Sequence, residues 1–216
     1  MTFTCRALLL DLDGVLVDST EVIRRNWTRW AERHGLEAAQ VVRSAQGRRT
    51  IETVRLVAPH LDAEAEALGL VGDEATETEG VREVPGAREL LAALPVDAWA
   101  VVTSAVRSAA EARLRYAGLR VPAVLVAADE VANGKPHPEG YLAAARRLGV
   151  SAADCIVVED APAGIEAAHA GGMRVLGVPT SHEASELAGA DLVARSLGAI
   201  RVHVQDGRLE LAVPPA

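Results

Sequence analysis

Leu8-Leu9-Leu10-Asp11-Leu12-Asp13-Gly14-Val15-Leu16-Val17 is the stretch on which the reading of this chain turns. Its apolar run is strand length and has no polar face, as expected of a strand covered on both sides. It stops at two carboxylates one residue apart, followed by a glycine. In an open α/β sheet ligands sit beyond the carboxyl ends of the strands, so both acids are delivered to a crevice. Two like charges held so close are relieved by a divalent cation. A carboxylate is also a nucleophile for phosphoryl transfer. The plain alternative is a strand ending in a solvated turn, a common use of acids and glycines.

Three further sites argue against that alternative. After the apolar run Ala98–Val102 come Thr103, Ser104 and Ala105, hydroxyls and an amide suited to phosphate oxygens. Asn133-Gly134-Lys135-Pro136-His137-Pro138 sets a lysine in a loop stiffened by prolines. The run Cys155–Val158 ends at Glu159-Asp160.

In this order, the four sites resemble the haloacid dehalogenase superfamily of phosphohydrolases, over the whole chain. Longer stretches are similar to its small sugar-phosphate and polyol-phosphate phosphatases: Asn26-Trp27-Thr28-Arg29-Trp30-Ala31 with His34-Gly35, Glu74–Gly80, Val84-Pro85-Gly86-Ala87, and Glu159-Asp160-Ala161-Pro162-Ala163-Gly164. The resemblance implies an α/β fold, a Rossmann-like three-layer core around a parallel sheet, with an inserted all-helical cap domain. It also implies Asp11 as nucleophile, Asp13 as acid and base, and Mg²⁺ held by Asp11, the Asp13 carbonyl, Asp160 and either Glu159 or a water on it. Thr103, Ser104, the Ala105 amide and Lys135 would hold the phosphoryl oxygens. From the cap, Gly47, Arg48 and Arg49 are expected to touch substrate. Gln46 stands where relatives carry a histidine, so specificity does not transfer directly.

Composition is compatible with such an enzyme. The 216 residues, 50% hydrophobic, suffice for one packed core with a small insertion. A formal charge of −8 disfavours nucleic acid and acidic membrane surfaces. The two cysteines, Cys5 and Cys155, read as reduced core residues. No leader-like or membrane-length apolar run is present, so a cytoplasmic protein, monomeric or weakly dimeric, acting on a small phosphomonoester is expected.

Strand-like runs at Cys5–Leu10, Ala98–Val102, Val124–Ala127, Cys155–Val158 and Arg174–Val178 alternate with helical segments near Ala87–Leu94, Arg107–Ala117, Pro138–Leu148 and Pro162–Ala170. Residues 17–81 show helical periodicity, including the stripe Ile23, Trp27, Trp30, His34, and Asp62 is a candidate N-cap. The division is therefore a core of 1–16 and 82–216 around a cap of 17–81, hinged at Val15–Ser19 and Val81–Gly86. The two tryptophans read as cap core, and His34, His60, His169, His182 and His203 as structural. His137 reads as a loop residue and Asp73–Glu79 as a solvated face. Runs flanking Asp206-Gly207 predict a hairpin at the sheet edge. Hydrolysis of a sugar, hexitol or glycerol phosphate leads. A phosphoglucomutase of the same fold is second, disfavoured by Ile23 where those mutases carry a histidine. A non-catalytic relative is third, disfavoured because Asp11, Asp13, Lys135 and Asp160 are all present.

Overall fold

The computed structural model describes residues 1–214, apart from the side chains of 73–75. The acidic run at 73–79 therefore lies partly outside the described residues.

Its centre is a parallel six-stranded sheet ordered β6-β5-β2-β7-β8-β9. The strands are β2 (Ala7–Leu10), β5 (Trp99–Val102), β6 (Leu125–Val126), β7 (Cys155–Glu159), β8 (Arg174–Gly177) and β9 (Leu192–Val193). β2 and β7 are buried throughout because helices cover both faces. Alternate residues divide between two apolar layers. Leu8, Leu10, Val101, Ile156 and Val158 pack with Leu90, Leu91 and Leu114 from α5 (Ala87–Ala93) and α6 (Arg107–Tyr116). Leu9, Ala100, Val102 and Val157 pack with Tyr141, Ala144 and Ile165 from α7 (Glu139–Leu148) and α8 (Pro162–Ala170). The first strand lies mid-sheet, with β5 and β6 added on one side and β7 to β9 on the other. The topological switch point thus falls between β2 and β7, beyond whose carboxyl ends stand Asp11 and Glu159-Asp160.

Residues 20–76 contribute four helices: α1 (Thr20–Arg33), α2 (Ala38–Ala45), α3 (Thr50–Val57) and α4 (Ala63–Thr76). They share an apolar cluster of their own that includes Trp27, Trp30, Val41, Val54 and Leu70. The two indoles meet edge to face at 5.4 Å. Asp62 caps α4, accepting the Ala65 amide at 3.1 Å. Glu37 does the same for α2, a cap the sequence reading missed. At the two predicted hinges the chain pairs with itself, β3 (Val17–Asp18) running antiparallel to β4 (Arg82–Glu83).

Two expectations are corrected. The predicted strand Cys5–Leu10 is broken at Arg6, whose amide turns to the Asp154 carbonyl, leaving β1 (Thr2–Cys5) outside the main sheet. The tail hairpin, β10 (Arg201–Gln205) and β11 (Arg208–Ala212), forms around Asp206-Gly207, both at positive φ. It does not extend the parallel sheet; it pairs with β1 in a separate sheet ordered β1-β11-β10. Thr2–Cys5 has one exposed face, which suits antiparallel pairing at the periphery. Among the described residues no helix is long and apolar enough to cross a membrane.

Candidate active site

Asp11 follows β2 directly and is held there by its backbone N–H, which donates a hydrogen bond to the Val158 carbonyl at 3.1 Å. The chain then turns on Leu12, whose carbonyl accepts the amides of Leu16 and Val17. Gly14 permits the turn with a φ of +89°, and its bare Cα faces Asp160: a Cβ there would lie 1.8 Å from Asp160 Oδ2. The glycine of the opening motif thus lets the β2 and β7 acids approach.

Lys135 Nζ reaches Asp11 Oδ1 at 2.6 Å and Glu159 Oε1 at 2.5 Å, with the Tyr141 ring 5.2 Å away. Tyr141 donates its hydroxyl to the same Glu159 oxygen at 2.7 Å. The other oxygen accepts the amides of Asp160 and Ala161 at 3.0 and 3.1 Å. Both Glu159 oxygens are therefore committed, which argues against the direct metal contact expected of it; its bonds fit it to hold Lys135. Oxygen atoms of Asp11, Glu159 and Asp160 nonetheless lie within 4.8 Å of one another, all three residues buried.

That crowding shows in their acidities. Burial raises Asp11 to about 7, with Glu159 and Asp13 adding to the rise and Lys135 opposing it. Burial, then Glu159 and Asp11, push Asp160 well above the carboxylate range. Burial alone depresses an ammonium, but the Asp11 and Glu159 carboxylates outweigh it and keep Lys135 well above its ordinary value. An all-oxygen donor set of three buried acids served by a single lysine fits a hard divalent cation.

Asp13 is oriented by Ser19 Oγ at 2.5 Å and Arg113 Nη1 at 2.8 Å. Arg113, almost fully buried on α6, was not anticipated. Thr103 Oγ1 accepts the Ala105 amide at 3.0 Å, and Ser104 Oγ donates to the Gly47 carbonyl at 2.9 Å. Thr103, Ser104 and Ala105 are gathered at the strand end; the Ala105 amide is engaged locally and the Ser104 hydroxyl across to the helical segment.

One cleft joins Asp11, Asp13, Thr103, Ser104, Ala105, Lys135 and Asp160 to the helical segment, which supplies Ile23, Trp27, Gln46, Gly47, Arg48 and Thr50. Its empty volume is about 750 Å³, part of it open to solvent. Trp27, expected in the helical core, is in it and also lines this cleft. Arg49, expected at the substrate beside Arg48, is not among the lining residues. It turns toward the carbonyls of Val131 and Ala132.

Gly164, in α8, has a reason of its own: a Cβ there would stand 1.7 Å from Glu159 Oε1. Gly164→Ala is expected to displace that carboxylate and with it Lys135, destabilising by about 1–3 kcal/mol and depressing turnover. Chemical denaturation beside kinetics checks both; an unchanged midpoint and rate would refute the packing argument.

A buried carboxylate, a fixed lysine and an acidic cluster at the switch point of a parallel sheet make this the candidate catalytic site of an α/β protein. Comparison with known proteins narrows that class. The sequence pattern of the haloacid dehalogenase-like hydrolases matches residues 5–172, and the chain belongs to that family. Hexitol phosphatase A of Escherichia coli (strain K12) is 42% identical over 209 residues, 93% of this chain and 95% of the relative. Glycerol-1-phosphate phosphohydrolase 2 of Saccharomyces cerevisiae is 33% identical, covering 94% of this chain and 86% of its own. The crystal structure of β-phosphoglucomutase from Clostridium difficile superposes with a TM-score of 0.75 at 25% identity, covering 90% of this chain and 92% of that one.

Proposed function

We propose that this protein is a magnesium-dependent phosphatase of small sugar or polyol phosphomonoesters, working through an aspartyl-phosphate. The observation that carries it is Asp11, pinned at a strand end between Lys135 and the β7 acids, beneath a hydroxyl-lined and partly apolar cleft. Asp11 attacks phosphorus and the substrate alcohol departs with the proton of Asp13. Asp13 then takes a proton from the water that hydrolyses the acyl phosphate, its carboxylate oriented by Ser19 and Arg113. Lys135 and Thr103 meet the phosphoryl oxygens, and Ser104 and the Ala105 amide exchange their present partners for them.

Asp11, the Asp13 carbonyl and Asp160 would hold the cation, with Glu159 behind Lys135. When bound, Mg²⁺ neutralises phosphoryl charge. Residues 17–81 serve as a cap domain over a core of 1–16 and 82–216, excluding water and contacting the polyol through Gln46, Gly47 and Arg48. Glycerol phosphate is the alternative substrate. The phosphoglucomutases of this fold carry a histidine in the first cap helix, and Ile23 stands there instead and lines the cleft.

Phosphate release is expected from hexitol, hexose or glycerol phosphates with Mg²⁺ and not with chelator. Bisphosphate-dependent isomerisation without release would replace this reading with the mutase.

A further inference from the structure

We infer that Arg49 and Glu52 are positioning residues that couple the seating of the helical segment on the core to the placement of Lys135. The inference rests on the phosphatase reading for its kinetic part only.

Arg49 is the residue before α3, with an extended backbone, and its guanidinium crosses to the core. Nη1 donates to the Val131 carbonyl at 3.1 Å and Nη2 to the Ala132 carbonyl at 3.0 Å. Glu52 Oε1 accepts Arg49 Nε and Nη2 at 2.8 and 2.5 Å, and also the Gly134 amide at 3.3 Å. From the core side, Glu139 accepts the amides of Ala132 and Asn133. Two acids and one arginine thus answer the backbone of residues 131–134, and Lys135 is the next residue. Three of those bonds come from the helical segment and break when it lifts.

The planar fork makes the coupling specific. A guanidinium holds two carbonyls and a carboxylate in one plane, which an ammonium on a flexible stem does not reproduce. Gly134 is shaped to it: a Cβ at that position would lie 2.6 Å from Arg49 Nε and 2.9 Å from Cδ. Ser104 makes a second bond across the same seam, to the Gly47 carbonyl. Lys135 therefore has two supports, a permanent one in Glu159 and Tyr141, and a conditional one that exists only with the segment seated. Closure over a substrate completes the lysine's placement; Lys135 meets the phosphoryl oxygens most strongly as charge develops on them, so loss of the latch shows chiefly in kcat.

The test takes Arg49→Ala, Glu52→Gln, Arg49→Lys and Gly134→Ala in the full chain. Arg49→Ala and Glu52→Gln are expected to lower kcat about 10–100-fold, the penalty of a misplaced catalytic group, with KM changed by less than about threefold. Arg49→Lys recovers part of the loss. Gly134→Ala, which removes no side chain of the helical segment but sets its Cβ against the Arg49 guanidinium, reproduces the Arg49→Ala pattern and adds nothing to it in the double variant. Unchanged kcat, a loss confined to KM, or additive losses in the double variant would overturn the inference.

Amide hydrogen exchange supplies a readout that needs no turnover. Amides 132–135 of Arg49→Ala are expected to exchange about fivefold or more faster, as loss of one bond near 1 kcal/mol implies, with 139–148 unchanged. Unchanged exchange at 132–135 overturns the coupling. If the wild type turns over no phosphomonoester, the functional reading fails and the exchange result alone decides this one.

Discussion

Asp11→Asn is expected to reduce phosphate release by at least about 10⁴-fold, the scale of removing a covalent nucleophile, while the protein remains folded. An amide oxygen does not displace an alkoxide from phosphorus, and nothing else in the cleft takes its place. Asp13 is tied to Ser19 and Arg113, Glu159 has both oxygens committed, and Asp160 is a buried acid of the cluster that would hold the cation. The fold survives because the charge removed is one the interior resists: burial already lifts Asp11 to about 7. Lys135 keeps its bond to Glu159 and still finds an oxygen at the substituted side chain. Phosphate release and a thermal melt on one preparation check the claim. Retention of a large fraction of activity by a folded variant would remove Asp11 from the mechanism.

The parts of this site that the sequence announced are those carried by unbroken apolar strands. Leu8–Leu10 and Cys155–Val158 read as buried strands because neither has a polar face, and the acids that end them follow from strand geometry alone. Long-range pairing is different. Cys5 reads as the start of the strand that carries Leu8, and only the turn of the Arg6 amide toward Asp154 assigns it to a separate strand, Thr2–Cys5. Arg113 interrupts an otherwise apolar stripe of Ala109, Ala110 and Leu114, a signal present in the sequence but indistinguishable there from a long side chain reaching solvent. Arg48 and Arg49 show the limit most clearly. Arg48 stands in a bend and Arg49, the next residue, has an extended backbone; the first lines the cleft and the second crosses to the Lys135 loop. Nothing in the order of the two letters says which.

Asp160→Asn is expected to move activity and stability in opposite directions. In the metal-free protein Asp160 is buried among acids, its own acidity suppressed first by burial and then by Glu159 and Asp11. Replacing it with a neutral amide of the same shape removes that repulsion, so the metal-free variant melts higher than the metal-free wild type, by about 2–4 °C for a gain near 1 kcal/mol in a chain of this size. The cation acts on the same repulsion from outside. Magnesium at about 100 times its dissociation constant stabilises a native site by about 2.7 kcal/mol, so the wild-type melt rises with Mg²⁺ and falls back with chelator. With one carboxylate gone the variant answers weakly, and turnover falls with it. Paired melts and rates, with and without Mg²⁺, separate the possibilities. A rise of equal size in both proteins would place the ion elsewhere, and a lower metal-free melt for the variant would mean that these acids stabilise the fold. Opposite shifts in the two proteins would show that the acids crowding the end of β7 are kept at the expense of stability for the cation they hold.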